Sequence, residues 1–400
     1  MREHPDATLI HSARLVADGT STPDTWVRFA HGTVTAIGTG DSWMASSESS
    51  EVIDAREIAG EGAILTAGFV DIHCHGGGSA SFEGDDDDIR RARTLHRAHG
   101  TTRQVLSLVS APLGNLAAQV ARIARLSESD ADILGSHLEG PFLDPGHKGA
   151  HDPRALTEPA PDALAALVEA GGDTIRQITL APELPGGTDA VRALAEAGIR
   201  VAVGHTDADL RTTAAAFDAG ASILTHAFNA MPGLHHREPG PLGAALADPD
   251  VTIEVIADGV HVHPELIRVL FAAAPERVAL VTDAMAAAGA GDGHYLLGDL
   301  SVDVIDGVAR LRDGGAIAGS TLTQDAALRQ VVSAGVDLPA AVQALTTTPA
   351  RAIGRPDLGT LTVGSPADAV LLSADLEVRQ VWFEGLPATP ADVGPARGAN

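Results

Sequence analysis

Gly68-Phe69-Val70-Asp71-Ile72-His73-Cys74-His75 is the stretch on which the fold turns. Two histidines spaced i, i+2 project to the same side of a β-strand, where a single metal ion can sit between two imidazoles. The apolar run Ala63-Ile64-Leu65 leads in and Gly76-Gly77-Gly78 follows, so the pair stands where a strand ends and a tight loop begins. In barrel enzymes that end carries the active site. Cys74 alternates to the opposite side and is expected to pack as a small hydrophobe. Taken alone, the pair is as readily two polar residues at a strand end as a pair of ligands.

Outward from this segment the chain repeats one texture, short β-branched runs each followed by an Ala-rich amphipathic stretch, which is βα repetition. The strands expected are Phe69 to His73, Arg103 to Leu108, Ile133 to Leu138, Ile175 to Leu180, Arg200 to Val203, Ile223 to Thr225, Val251 to Ile256 and Val278 to Thr282. Helices are expected at Leu116 to Arg125, Pro161 to Glu169, Ala190 to Ala197, Asp209 to Phe217 and Pro264 to Ala273. Eight strands close naturally into a (β/α)8 TIM barrel, here spanning 67–354. The flanks, 1–66 and 355–400, read as short strands and turns, each too short for a core of its own, and are expected to share one small β-sandwich domain. The tail from Pro387 to Asn400 is expected to fray. Asp85-Asp86-Asp87-Asp88 tempts a metal reading, yet Arg90, Arg91 and Arg93 follow, and aspartates complement a helix N-terminus. A solvated helix start is the expectation.

The 400 residues suffice for a barrel and a smaller unit. With 44% hydrophobic but only 3% aromatic residues, the core must be aliphatic, and 43 glycines imply many tight connections. A formal charge of −26 argues against nonspecific binding to nucleic acid or to an anionic membrane. One cysteine excludes an intramolecular disulfide framework and fits a reducing interior. Met1 to Asp6 contain no apolar h-region, and no stretch resembles a membrane span, so a cytoplasmic protein is expected.

Metal-ligand residue types recur at the ends of the expected strands. The third ends in Ser136-His137-Leu138-Glu139, the fifth runs into Gly204-His205-Thr206, the sixth ends Thr225-His226 and the eighth Thr282-Asp283. Glu139, His205 and His226 make a plausible one-carboxylate, two-imidazole site with an open position. Any one of these is weak, but placing His-x-His, Glu, His, His and Asp at five strand ends by accident needs five coincidences.

These residues resemble the amidohydrolase superfamily and, within it, the N-acetylglucosamine-6-phosphate deacetylase branch. The resemblance covers nearly the whole chain. It rests on His137-Leu138-Glu139-Gly140-Pro141-Phe142 with Lys148-Gly149-Ala150-His151, on Ala181-Pro182-Glu183, Gly204-His205-Thr206 and His226-Ala227-Phe228-Asn229-Ala230-Met231-Pro232, and on Arg237-Glu238-Pro239-Gly240, Ala257-Asp258-Gly259-Val260-His261 and Val281-Thr282-Asp283-Ala284.

The resemblance implies hydrolysis of the acetamide of N-acetylglucosamine 6-phosphate to glucosamine 6-phosphate and acetate. It implies that Glu139, His205 and His226 hold the principal divalent metal, with His73 and His75 available for a second; zinc, iron and other divalent ions are alternatives that ligand types do not separate. Asp283 would take a proton from the attacking water and return one to the leaving amine. His151 would hydrogen-bond the carbonyl oxygen. Asn229, Ala230 and His261 would contact the sugar phosphate, and Arg237 would reach it from the neighbouring subunit of a homodimer. The alternative substrate is another N-acyl or cyclic amide. The cyclic-amidase branch commonly bridges two metals with a carboxylated lysine on a barrel strand, whereas Lys148, the only lysine, falls in a loop. A noncatalytic sugar-phosphate sensor of the same fold would have little reason to keep Asp283 beside a full ligand set.

Overall fold

A computed structural model describes residues 7–388. Its centre is a sheet of eight parallel strands, β1 (Phe69–Cys74), β2 (Thr101–Val109), β3 (Ile133–Glu139), β4 (Ile175–Leu180), β5 (Arg200–Val203), β6 (Ala221–Leu224), β7 (Thr252–Ile256) and β8 (Val278–Val281), paired in chain order. Each expected strand is found within two residues at either end. Their legibility has a physical cause: parallel strands covered on both faces read as nearly continuous apolar runs, and β1, β2, β3 and β8 are buried along their whole length. The ring is completed between β1 and β8 by side chains and single backbone contacts. The Thr282 hydroxyl donates to Asp71 Oδ2 at 2.6 Å, and the Asp283 N–H to the His73 carbonyl at 2.8 Å.

Helices pack outside the ring, five of them where the sequence placed them: Leu113–Ser127, Pro161–Gly171, Gly187–Glu196, Leu210–Asp218 and Pro264–Ala273. The aspartate run does start a helix, Asp86–Ala98. Asp85 caps it, accepting from the N–H groups of Asp87 and Asp88 at 3.0 and 2.9 Å, while Asp88 pairs with Arg91 at 3.1 Å. Ile89, Ala92 and His96 form its buried stripe.

The two flanks build one sheet. Ile64–Ala67 pairs antiparallel with Ala369–Leu372 and parallel with Ala7–Ala17, which continues through Thr20–Ala30 to Thr33–Thr39. That sheet encloses a core of its own, with Phe29 against Trp382 at a ring separation of 6.4 Å. A buried ion pair, Arg103 Nε to Asp368 Oδ2 at 2.6 Å, ties it to β2. Of the expected fraying tail, residues 389–400 lie outside the described residues.

One element was not expected: a three-stranded antiparallel sheet after β8, Gly293–Leu297, Leu300–Ile305 and Val308–Leu311. Val302, Val304, Ala309 and Leu311 alternate inward onto Val109, Met285 and Ala318, so it packs over the mouth of the barrel. No helix among the described residues is long and apolar enough to cross a membrane.

Candidate metal centre

Six side chains meet where β1, β3, β5, β6 and β8 end. Glu139 is the last residue of β3, while His205, His226 and Asp283 stand two residues beyond the ends of their strands. These three adopt positive φ, 49°, 24° and 47°, a turn that swings each side chain into the mouth. Such backbone costs a non-glycine residue about 1–3 kcal/mol and persists only where surroundings enforce it.

The Glu139 carboxylate is the hub. Its Oε1 lies 3.0 Å from His205 Nε2, 3.1 Å from His226 Nε2 and 3.4 Å from His73 Nε2; its Oε2 lies 3.1 Å from His75 Nε2 and 3.2 Å from His151 Nε2. Asp283 Oδ1 is 3.3 Å from His75 Nε2 and 3.5 Å from His73 Nε2. His205 and His226 bring their Nε2 atoms within 3.0 Å of one another, and His73 and His75 within 3.3 Å. Two imidazole nitrogens bound tetrahedrally to one cation stand about 3.3 Å apart. Among the described residues two groups that share Glu139 could each hold a cation, His73, His75, Glu139 and Asp283 in one and Glu139, His151 and His205 in the other; His226 Nε2 joins the second by distance, 3.1 Å from Glu139 Oε1 and 3.0 Å from His205 Nε2.

Tautomers decide which rings can serve as ligands. His205 Nδ1 faces the His147 carbonyl at 2.9 Å and His73 Nδ1 faces Glu254 Oε2 at 3.1 Å. Both partners only accept, so each ring keeps a proton on Nδ1, and Nε2, the nitrogen that faces Glu139, is the one a cation can take in place of a proton. His151 is the reverse. The Ser110 N–H donates to its Nδ1 at 3.2 Å, so the neutral ring bears hydrogen on Nε2 and is a donor into the cavity rather than a ligand. Burial pushes its pKa down to about 4, against the pull of Glu139, and the ring stays neutral at physiological pH.

Charge in the cluster points to a cation. Burial works to raise the pKa of Glu139, yet the charge on His73 and the hydrogen bonds of His151 and His205 outweigh it and hold the carboxyl well below the usual range. Burial works to lower that of His75, and hydrogen bonds to Asp283 and Glu139 instead lift it to about 10. Buried carboxylates thus recruit protons onto rings whose lone pairs converge, and a divalent cation supplies the same positive charge while using the lone pairs.

Asn229, Ala230 and His261 line the same cavity of about 340 Å³ as His75, Glu139, His151, His205, His226 and Asp283. His261 Nδ1 meets Asp258 Oδ2 at 2.7 Å; burial lowers its pKa, but the Asp258 contact outweighs it and raises it. A ring so biased toward its cationic form suits an anion. Arg237 lies outside this cavity on an exposed loop, with its backbone N–H 3.4 Å from His235 Nδ1. Lys148 holds its own loop, donating to the carbonyls of Gly149 and His151 at 3.4 Å, and joins no metal cluster among the described residues. Cys74 turns away as expected, to 3.3 Å from His96 Nε2, and burial pushes its thiol up to about 12.

Sequence reasoning passed over Glu254, Leu297 and Ile317. Glu254 is wholly buried in the middle of β7, a lone charge in Thr252-Ile253-Glu254-Val255-Ile256, and that misfit was the available signal. Leu297 and Ile317 reach the cavity from the unexpected sheet and the loop after it.

Residues 64–387 match the amidohydrolase family. The chain is 38% identical over 383 residues to N-acetylgalactosamine-6-phosphate deacetylase of Escherichia coli O157:H7, covering 94% of this chain and 98% of that protein. It is 36% identical to N-acetylglucosamine-6-phosphate deacetylase of Vibrio furnissii, over 84% of this chain and 85% of that one. A solved structure of a variant of the Mycobacterium smegmatis N-acetyl-D-glucosamine-6-phosphate deacetylase, in complex with N-acetyl-D-glucosamine-6-phosphate, superposes with a TM-score of 0.90 at 40% identity, covering 96% of this chain and 100% of that one.

Proposed function

The chain belongs to the amidohydrolase family, and from that premise we propose that it removes the N-acetyl group of N-acetyl-D-glucosamine 6-phosphate, giving D-glucosamine 6-phosphate and acetate. The observation that carries this reading is the pairing, inside one cavity, of lone-pair imidazoles around Glu139 with a hydrogen-bearing imidazole at His151 and a carboxylate at Asp283. Glu139, His205 and His226 hold the principal divalent cation and His73 and His75 a second; zinc is the first to test, and iron and other divalent ions fit the same imidazole and carboxylate donors. When bound, the cation supplies Lewis acidity and makes water a better nucleophile at neutral pH.

The residues do the rest. Without a cation, the protonated rings of His73 and His75 outweigh burial and hold Asp283 below the usual carboxylate range; a cation bound there would supply the same positive charge, and the ionised carboxylate can accept a proton. It takes one from water as the oxygen attacks the acetamide carbon. His151 donates its Nε2–H to the carbonyl oxygen as negative charge builds there, and Asp283 then returns the proton to the nitrogen as the C–N bond breaks, releasing acetate and a free amine. His261, Asn229 and Ala230 receive the 6-phosphate end. Arg237, exposed and outside its own cavity, reaches the neighbouring site in a homodimer and completes the phosphate contacts, which offsets the acidic character of the chain at the one place where a dianion must bind.

The specific rival is the C4 epimer, the galactosamine derivative named for the 38%-identical relative. Comparing kcat/KM for the two 6-phosphates and for unphosphorylated N-acetylglucosamine tests the reading. The glucosamine derivative should be turned over most efficiently and the unphosphorylated sugar least. Preference for the galactosamine derivative would reassign the substrate, and equal use of the unphosphorylated sugar would remove the phosphate from recognition.

A further inference from the structure

We propose that Glu254 is a positioning residue that fixes the ring of His73 and thereby determines whether the His73–His75 side of the centre holds a cation. The inference rests on the metal-hydrolase reading and concerns a residue that touches neither substrate nor, directly, any cation position. Its Oε2 lies 3.1 Å from His73 Nδ1 and accepts from the backbone N–H of His226 at 3.3 Å, while its Oε1 accepts from Gln177 Nε2 at 2.8 Å. Glu254 is wholly buried, and the two further donors leave its carboxylate no freedom to rotate away.

As a metal ligand His73 is neutral with one ring proton, and both of its nitrogens face carboxylates. On the Nε2 side stand Glu139 Oε1 at 3.4 Å and Asp283 Oδ1 at 3.5 Å, and a proton there would be welcome to both. A ring protonated on Nε2 has no lone pair for a cation. Glu254, closer at 3.1 Å and on the opposite nitrogen, draws the proton to Nδ1 and leaves Nε2 as a ligand. His75 has no such support, for its Nδ1 lacks any hydrogen-bond partner. The orientation of the pair at the end of β1 therefore depends on a residue in the middle of β7. An acceptor of this kind also makes the ring a better ligand, and losing one typically costs a metal site 10–100-fold in affinity, as an order of magnitude.

The test compares the full-length parent with Glu254→Gln and Glu254→Ala, each loaded with Zn²⁺, dialysed against graded chelator and analysed for metal per chain. Glutamine keeps an acceptor for His73 but brings an NH2 group toward Gln177. Gln177 can turn its own amide over to receive it, because its Oε1 is otherwise without a partner, so this variant should fold. The parent should hold two equivalents of unequal resistance. In Glu254→Gln the weaker equivalent should leave at about 10-fold lower chelator and in Glu254→Ala at about 100-fold lower, the stronger one being unchanged in both. Histidine ¹⁵N spectra should show His73 protonated on Nδ1 in the parent and shifted toward Nε2 in Glu254→Ala, a change that loss of packing alone does not produce. Should Glu254→Ala fail to fold, Glu254→Gln decides alone. A folded Glu254→Gln protein that keeps both equivalents at parental resistance, or loses both together, overturns the inference. A parent with a single equivalent that still releases acetate overturns it while leaving the proposed function intact. Selective loss of one equivalent in a protein that releases no acetate would do the opposite.

Discussion

The backbone N–H of Asp283 donates to the carbonyl of His73 at 2.8 Å, so the proposed acid–base group and a proposed cation ligand are joined across the closing seam of the barrel. The contact is made by main chain alone. Side-chain changes at Asp283 leave it in place, and the seam keeps Thr282 against Asp71 at 2.6 Å as well. Chemistry at this position can therefore be altered without opening the ring.

Glu139 touches five imidazoles, and Glu139→Gln removes the shared negative ligand and puts in its place an amide whose NH2 group competes with a cation for the imidazole lone pairs. Both metal equivalents should fall away and activity with them. Changing His73 and His75 together to Gln and Asn should remove only the second equivalent. Elemental analysis separates the cases: a Glu139→Gln protein that retains metal would show that Glu139 is not the hub.

His151 donates, by its tautomer, and does not ligate. His151→Gln should lower kcat by about 100- to 1,000-fold, the usual cost of one donor to a developing oxyanion, with metal content unchanged. Metal loss in this variant would make His151 a ligand and remove its assigned role.

Arg237→Ala should raise KM for the phosphorylated sugar by the loss of a charge-assisted contact worth roughly 1.5–3 kcal/mol, and barely change the poor use of the unphosphorylated one. Mixing Arg237→Ala subunits with Asp283→Asn subunits should restore activity, because one site of each mixed dimer has both residues intact. No recovery in a mixture shown by mass spectrometry to contain mixed dimers would confine Arg237 to its own subunit or to no role.

Asp325, in the first turn of Gln324–Ser333, couples pH to stability. Burial raises its pKa, but His99 at 3.0 Å, Thr323 at 2.6 Å and Arg329 at 3.0 Å outweigh burial and bring it to about 2. A folded value below the unfolded one gives stability that is present above the unfolded pKa of 3.8 and lost as pH falls through about 2. Asp325→Asn should cost about 2 kcal/mol near neutral pH, and the difference should close in acid. Denaturant titrations at several pH values check this; a gap that is constant down to the acid limit would contradict it.

The barrel was legible in the sequence because its strands are buried on both faces and its ligands sit at strand ends, where His73, Glu139, His205, His226 and Asp283 interrupt apolar runs. The tautomers were not legible, since the His147 carbonyl meets the His205 ring and the Ser110 N–H meets His151 only after folding. Glu254 lies 181 residues from His73 in the chain, and nothing local links them. The three-stranded sheet did leave a signal, Asp306-Gly307 between alternating runs, with φ of 51° and 74° as a tight two-residue hairpin turn requires. It was missed because a βα frame leaves no place for a hairpin after the eighth strand.

Release of acetate from N-acetylglucosamine 6-phosphate, followed together with free amine in metal-loaded parent and in Asp283→Asn, decides whether this site is a metal-dependent deacetylase with Asp283 as its acid–base group. The parent should release equal amounts of acetate and amine, lose this activity on chelation and regain it on reloading, and Asp283→Asn should turn over ~2–4 orders of magnitude more slowly while still binding the sugar phosphate. A folded, metal-loaded parent that releases no acetate, or an Asp283→Asn protein that turns over at the parental rate, would contradict it.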